Sequence, residues 1–490
     1  MQNSQDLQKV QELRETLNAG DEKRLKAQRD AGKLTARERI AKLVDAGSFV
    51  ELFALVSENG GAAGVVTGYA TVQDRPVYLF AQDFTVHGGA MGQLQALKIN
   101  KTLDLALKTG APVIALCDSA GVRVDEGAVA MNAYAEIYKN LARMSGVVPL
   151  VAVVLGPCVG GAALIAQLAD VSVMAKNVGT LMVFGPQVLA AMNGVDVKAE
   201  ALGGADVMAK QGAVSLVAAT EDEALTLATR VLGLLPGSNA EDADIVDSDD
   251  LNRLLPELSA ADAAALVSQI ADAGTAIELK AAYETGAHTA LARVGGHAVG
   301  LVTTAGGNLT AGALQKAARF VHFCDCFNLP VISLINTTGV AVDRIDNQSW
   351  LMNGQSQLLY AYATATVPKL AVITGSAIGQ AYVAMGGKAN ADVTFAWPGA
   401  VVSALTPEAA VAVLYAEEVK ADKAAPADAR AKFAAQYVEE VAGAIHAAKA
   451  GLVDDVIDPA ATRQLLIASL EMLISKRDSN PAKKHGNMPL

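Results

Sequence analysis

VPLVAVVLGPCVGGAA (148–163) decides how this chain folds, because it is written again as VPKLAVITGSAIGQAY (367–382). From Met144 to Ala169 no residue carries a charge, a length that would cross a bilayer. Pro149, Gly156, Pro157, Gly160 and Gly161 interrupt it. The stretch therefore reads as a strand buried on both faces, a Gly turn and a helix. Upstream the repetition continues. VHGGAMGQLQALK (86–98) lies over TAGGNLTAGALQK (304–316), carrying Lys98 onto Lys316, and GAPVIALCDSAGV (110–122) lies over NLPVISLINTTGV (328–340) without a gap. Chance would not hold register so long, so the chain contains two similar domains.

Each half follows one grammar. A β-rich entry (64–84; 292–306) leads to a Gly-Gly turn and an amphipathic helix, a short apolar strand after Pro, another helix, and the buried strand–turn–helix unit. Repeated strand–helix units predict an α/β fold with right-handed connections. Thr406-Pro407 and Asp458-Pro459 mark helix starts downstream. EDADIVDSDD (241–250) carries six carboxylates in ten residues and reads as a solvated connector. The expected domains are 1–240 and 266–490, with an acidic linker over 241–265.

Composition narrows the function. The chain has 490 residues, 52% apolar and 18% charged, which excludes disorder. With 39 Lys+Arg against 51 Asp+Glu and no basic stripe, no nucleic-acid partner is expected. So apolar a composition fits an oligomer whose interfaces resemble cores. The charged N-terminus has no apolar segment of a secretory signal, so a cytoplasmic location is expected. Cys117, Cys158, Cys324 and Cys326 are expected reduced and buried. The C-x-C pair lacks further ligands, so no metal is expected.

The usual side-chain catalysts are missing. There is no G-x-S-x-G, Walker or H-E-x-x-H motif, and no two of the six histidines stand at ligand spacing. What remains is the Gly160-Gly161 turn and its echo Gly379-Gln380-Ala381. The first N–H groups of a helix have no intrahelical partner and sit at its positive end. Two of them aimed at one point form an oxyanion hole. The alternative reading is that these glycines only permit tight helix–strand packing.

Motifs along almost the whole chain resemble the carboxyltransferase family of biotin-dependent acyl-CoA carboxylases and decarboxylases. Members include the propionyl-CoA carboxylase β subunit and the methylmalonyl-CoA decarboxylase carboxyltransferase subunit. The first half carries KLTARERIAKLVDAGSFVEL (33–52), GVVTGYATV (64–72), FAQDFTVHGGAMG (80–92), DSAGVRVDEG (118–127) and GPCVGGAA (156–163). The second carries KAARFVHFCDCFNLPVI (316–332), LLYAYATATVPKLAVIT (358–374), AYVAMGGK (381–388), GLVDDVIDPAATR (451–463) and KKHGNMPL (483–490). The resemblance implies two tandem crotonase-like (ClpP/crotonase) domains related by internal duplication.

It also implies roles. The N-terminal domain would hold the acyl-CoA, most readily methylmalonyl-CoA or propionyl-CoA, with the amides of Gly160 and Gly161 on the enolate and Ala120, Gly121 and Ala162 around the substrate. The C-terminal domain would hold biotin, with the amides of Gln380 and Ala381 on its ureido oxygen, and with Gly379 and Val383 as substrate-binding residues, Val383 near the acyl group at the reacting carbon. The ureido nitrogen would serve as the base. No A-M-K-M motif and no ATP-grasp signature is apparent. Biotin would then arrive on a separate biotin carboxyl carrier protein, beside a biotin carboxylase or a membrane decarboxylase subunit. The chain would work as a homo-oligomer, a dimer or hexamer with sites across a dimer interface, cytoplasmic or peripheral to a membrane through that partner.

Departures from the family pattern are local. D-S-G-G-A-R reads DSAGVR here, with Ala120 and Val122 enlarging the loop. NTTGVAVDRIDNQSW (336–350) stands where P-G-F is usual, LMNGQSQ (351–357) replaces R-H-G-A-K, and Val383 takes the place of an acidic residue. Val383 favours a propionyl-sized group and the decarboxylase branch. Two alternatives stay open: a non-catalytic CoA-binding or assembly paralogue, and a biotin-independent crotonase-type enzyme.

Overall fold

The structure is a computed structural model and describes residues 2–489 except 59–60, 248, 257–258, 343–347 and 422–424. It divides into two compact units, Met1–Asp242 and Ala243–Leu490. The central strands of the first unit are β1 (Val65–Val72), β2 (Arg75–Gln82), β3 (Val113–Ser119), β4 (Leu150–Val159) and β5 (Val171–Ala175). They lie side by side in chain order, edged by Val50–Leu52 and Leu216–Ala218. The β1–β2 hairpin is antiparallel, and every later pairing is parallel. Parallel neighbours need crossovers, and the helices α1 (Ala36–Leu43), α2 (Gln93–Thr109), α3 (Ala128–Met144) and α4 (Gly161–Leu168) cover the sheet. All seven residues of β3 are buried, as an uncharged run between helix layers must be.

The second unit repeats this order with β6 (Ala287–Val294), β7 (His297–Thr304), β8 (Val331–Thr337), β9 (Lys369–Ile378) and β10 (Val393–Ala396). Its helices include α5 (Ala311–Cys326), α6 (Gln348–Thr364) and α7 (Gly379–Ala384). Even the irregularities are copied. Register shifts between Cys117 and Ser119 against β4, and between Ile335 and Thr337 against β9. The duplication read from sequence is thus a duplication of sheet topology.

Local signals act where expected. Thr406 Oγ caps the helix Pro407–Leu414, accepting from the amide of Ala409. Asp458 caps a 3₁₀ turn, Pro459–Ala461, before the helix Thr462–Leu473 begins. Among the described residues no helix is long and apolar enough to cross a membrane, and the uncharged stretch 144–169 is mainly β4 and α4. The acidic segment is mostly exposed but tied to the second unit. The Val246 amide donates to the Gly296 carbonyl at 3.1 Å, and Arg463 donates to the Asp250 carbonyl at 2.6 Å.

Candidate active site

β4 ends at Val159 and α4 begins at Gly161, so Gly160 must redirect the chain in one residue. Its φ is +61°, which L side chains adopt only at a cost. Gly379, the first residue of α7 directly after β9, has the same φ of +61°. The backbone thereby matches Gly160 with Gly379, Gly161 with Gln380 and Ala162 with Ala381. One sequence expectation needs correction here. The Gly160 N–H donates to the Met182 carbonyl at 2.9 Å, so it does not point into an open site. The turn that starts the helix aims this amide at the neighbouring strand. Free donors begin one residue later: the amides of Gly161 and Ala162 have no acceptor among the described residues, nor do those of Gln380 and Ala381.

The loop after β3 lies against the first of these turns. A Cβ placed on Gly121 would be 3.3 Å from the Val159 carbonyl oxygen. Within the loop the Ala120 amide donates to the Gly88 carbonyl (2.9 Å), Gly121 to Ser119 Oγ (3.2 Å) and Arg123 to the Met91 carbonyl (2.9 Å). Val122 breaks the series, for its amide has no acceptor among the described residues.

Two tyrosines of α3 support these donors. Tyr134 Oη donates to the Gly121 carbonyl and Tyr138 Oη to the Gly161 carbonyl, each at 2.9 Å. Their rings stack with centroids 5.7 Å apart and planes 19° from parallel. Each bond lands on the peptide unit whose other end is a free N–H, that of Val122 or of Ala162. Bonding at a carbonyl polarises the N–H of the same peptide and strengthens it as a donor. Burial pushes the Tyr138 phenol up to about 12 and that of Tyr134 higher, so both remain proton donors at neutral pH. Neither tyrosine was singled out from sequence. They also explain Gly161: a Cβ there would sit 2.7 Å from the Tyr134 ring and from the Tyr138 hydroxyl.

Beneath the loop lies a buried ion network. Arg39, fully buried, bonds Asp118 Oδ2 at 2.8 Å, Glu221 at 2.8 and 3.0 Å, and the Leu155 carbonyl at 2.6 Å. Lys33 Nζ reaches Asp118 Oδ1 at 2.7 Å and lies 4.3 Å over the Phe84 ring. Burial lowers the pKa of Lys33, opposed by Asp118. Burial also disfavours the charge on Arg39, yet Glu221 and Asp118 raise its pKa overall. Asp118 sits 2.0 Å from where a Cβ on Gly156 would lie, so this glycine makes room for the network. The local signal is the capping box Thr35–Glu38, which starts α1 and aims Arg39 inward. In the second unit Asn336 takes the place of Asp118, donating to the Ala260 carbonyl and accepting from the Ser376 amide. The charged network therefore belongs to the first turn alone.

Other expected residues fall as follows. Ala120 and Gln380 are exposed, Ala162 and Ala381 are buried, and Val383 is 45% exposed on α7. Cys117, Cys158 and Cys324 are buried, whereas Cys326 is exposed at the end of α5, against expectation. Of the divergent segment 336–357, residues 343–347 lie outside the described residues and the rest leads into α6.

Comparison with known proteins places this geometry. Residues 27–488 match the carboxyl transferase domain. The chain is 39% identical to the methylmalonyl-CoA decarboxylase subunit alpha of Veillonella parvula, covering 96% of each chain. It is 37% identical to the methylmalonyl-CoA carboxyltransferase 12S subunit of Propionibacterium freudenreichii subsp. shermanii, over 99% of this chain and 97% of that one. Its fold superimposes on the crystal structure of the transcarboxylase 12S hexamer, described with methylmalonyl-coenzyme A and methylmalonic acid bound, with a TM-score of 0.92 at 35% identity, covering 99% and 98%. The duplicated α/β fold and near full-length likeness agree: this chain belongs to the carboxyl transferase family.

Proposed function

We propose that this chain is the carboxyltransferase component of a biotin-dependent system. It moves a carboxyl group between a short acyl-CoA, methylmalonyl-CoA or propionyl-CoA, and biotin on a separate carrier protein. The observation that carries this reading is the duplicated turn, which offers unpaired amides twice in one chain.

In the first unit the amides of Gly161, Ala162 and Val122 are the donors for the thioester oxygen. As the acyl α-carbon gains or loses its carboxyl group, negative charge moves onto that oxygen, and preorganised N–H groups stabilise it more than the ground state. One such donor contributes about 3 kcal/mol. Tyr134 and Tyr138 hold the two peptides in place, and the Lys33–Asp118–Arg39 network fixes the loop from below. The turn itself carries no acid or base from Gly160 to Ile165.

In the second unit the residues suit biotin. The amides of Gln380 and Ala381 are neutral donors appropriate to a ureido carbonyl, and exposed Val383 gives an apolar flank. When bound, biotin supplies the transferable carboxyl group and the nitrogen chemistry that the side chains lack.

Both units expose large apolar residues. Val124, Met131, Leu164 and Val183 are 83%, 62%, 49% and 68% exposed in the first unit, as are Trp350, Met352 and Val413 at 62%, 59% and 69% in the second. Such patches mark association surfaces, and we assign them to homo-oligomer contacts that bring the first unit of one copy to the second unit of another. A cytoplasmic location, with membrane contact through a decarboxylase partner subunit, follows from the same reading.

The deciding experiment gives the purified chain free biotin or a biotinylated carrier with malonyl-, methylmalonyl- and glutaconyl-CoA. Biotin-dependent loss of the carboxyl group from methylmalonyl-CoA is expected. Absence of turnover with all three esters would leave a non-catalytic paralogue as the better account.

A further inference from the structure

The duplication places a lysine at the sixth position of equivalent helices, Lys98 in α2 and Lys316 in α5. Both are buried, at 3% and 6% exposure. Their surroundings differ. Lys316 Nζ donates to the carbonyls of Lys280 and Tyr283 at 2.9 and 2.8 Å. Among the described residues no acceptor is bonded to Lys98 Nζ. The side chain lines a cavity of about 710 Å³ instead, a volume within the range of small-molecule sites. Burial holds both ammonium groups down at about 8, Lys98 between the charges of Glu51 and Arg37.

A buried cation without a partner is expensive, and proteins keep one where something completes it. The acidic side chains around this cavity are already engaged. Glu51 takes Arg37 at 2.8 and 3.2 Å, Glu38 takes Arg29 at 2.8 Å, Asp21 accepts from the Arg24 amide, and Asp83 accepts from Thr85. Exposed Arg24, which donates to the Thr85 carbonyl at 3.1 Å, also lines the cavity, whereas the Arg37 guanidinium is held by Glu51. The turn 83–89 borders the cavity through Asp83, Thr85, Val86 and His87, and its Gly88 carbonyl receives the amide of Ala120 in the loop after β3 at 2.9 Å.

We propose that this cavity binds a phosphate-bearing small molecule, with Lys98 as the charge at its base and Arg24 at its rim. Two cations on one concavity suit a phosphate, which carries more charge and more acceptors than a single carboxylate. The phosphate can belong to the nucleotide end of a CoA ester, in which case this inference rests on the carboxyltransferase reading, or to a separate effector. Lys316 is the internal control, since its amine already has protein acceptors.

The test titrates the full chain with inorganic phosphate, adenosine 3′,5′-bisphosphate and CoA, by calorimetry and thermal shift, in wild type, Lys98→Met and Lys316→Met. The wild type is expected to bind at least one probe. Lys98→Met should weaken that binding about tenfold or more, the loss of one charge-assisted contact, with Tm equal to or above wild type. Lys316→Met should lower Tm, because it strands two carbonyls, and leave affinity within about threefold. A rise in the acyl-CoA KM of Lys98→Met assigns the phosphate to the substrate, and an unchanged KM assigns it to an effector. The proposal is overturned if no probe binds wild type, if Lys98→Met binds as tightly, or if Lys98→Met loses stability as Lys316→Met does. The binding and melting readouts that decide the proposal do not depend on carboxyl transfer; only the KM that assigns the source does.

Discussion

Replacing Gly161 by alanine tests the first turn directly. The new methyl would lie 2.7 Å from Tyr134 ring carbons and 2.7 Å from the Tyr138 hydroxyl, where ordinary contact begins near 3.4 Å. Something must therefore yield by about 0.7 Å. Tyr134 is 3% exposed in the main core of the unit, so its ring cannot move freely and the displacement falls on the turn. Misplacing reacting groups by about 1 Å costs about 10²-fold, and losing an oxyanion donor costs about 10²–10³-fold. The expected outcome for Gly161→Ala is a fall of about 10² in kcat for biotin-dependent decarboxylation of methylmalonyl-CoA, with the KM for the biotin acceptor unchanged. Gly160→Ala is the counterpart. A Cβ there meets nothing closer than the Val183 carbonyl at 3.6 Å, so its cost is the positive φ alone. With ψ at −120° that is about 1–3 kcal/mol, visible as a lower Tm at near-normal kcat. Steady-state kinetics and thermal melts on both proteins suffice. Should Gly161→Ala keep kcat within about threefold while Gly160→Ala loses it, the donors have been assigned to the wrong amides.

Three further outcomes follow from the same geometry. Tyr138→Phe removes the bond to the Gly161 carbonyl, worth about 1 kcal/mol, so kcat should drop about fivefold at unchanged acyl-CoA KM; a change in KM alone would mean the tyrosine only shapes the pocket. Arg39→Met leaves Asp118 and Glu221 buried without their shared cation and should cost about 3–5 kcal/mol in denaturant unfolding, and an unaltered midpoint would contradict the network. For Lys98 the folded pKa is lowered to about 8 from 10.5, so the unfolded chain holds the proton more tightly between those values. The charge therefore destabilises the fold below pH 8, and the penalty fades as pH rises from 8 to 10.5. Relative to wild type, Lys98→Met should be more stable at pH 7 by up to about 3 kcal/mol, and that gap should close by about pH 10; a gap that widens with pH would refute the sign.

Much of the fold was legible because it rests on short-range signals. Buried parallel strands must be uncharged, turns must carry glycine, and helices need caps, so two copies of those constraints are visible as two copies of a pattern. The turn proposed as the site was visible in the sequence, but not the direction of its amides. Sequence located the Gly160-Gly161 turn, but the direction of an N–H depends on what stands beside it, and Met182 lies 22 positions away on another strand. The ion network was illegible for the same reason: Arg39 and Glu221 are 182 residues apart. Asp118 sat inside a motif noticed for its Ala120 and Val122. Tyr134 and Tyr138 were hidden differently, since an aromatic on the buried face of a helix looks the same whether its hydroxyl is idle or holds a peptide.

The two halves show what a duplicated site must keep and what it can change. Both keep the glycine at φ +61° and the helix that follows, because free amides at that bend depend on backbone alone. What stands behind the bend has diverged. The first half has Tyr134 and Tyr138 on its turn and Asp118 in an ion network, and at residue 161 no side chain fits. The second has Gln380 at the matching position and Asn336 in place of Asp118, where the side-chain hydrogen bonds are neutral. This asymmetry follows the charge each half would face. An enolate oxygen carries a full developing charge, and rigid, polarised donors backed by buried ions hold it at fixed geometry. A ureido oxygen carried in on another protein is neutral and must also leave, so an exposed turn with adaptable side chains serves it better. On the proposed reading, the backbone shared by the two turns supplies the donors, and the side chains behind it set which oxygen each half would hold.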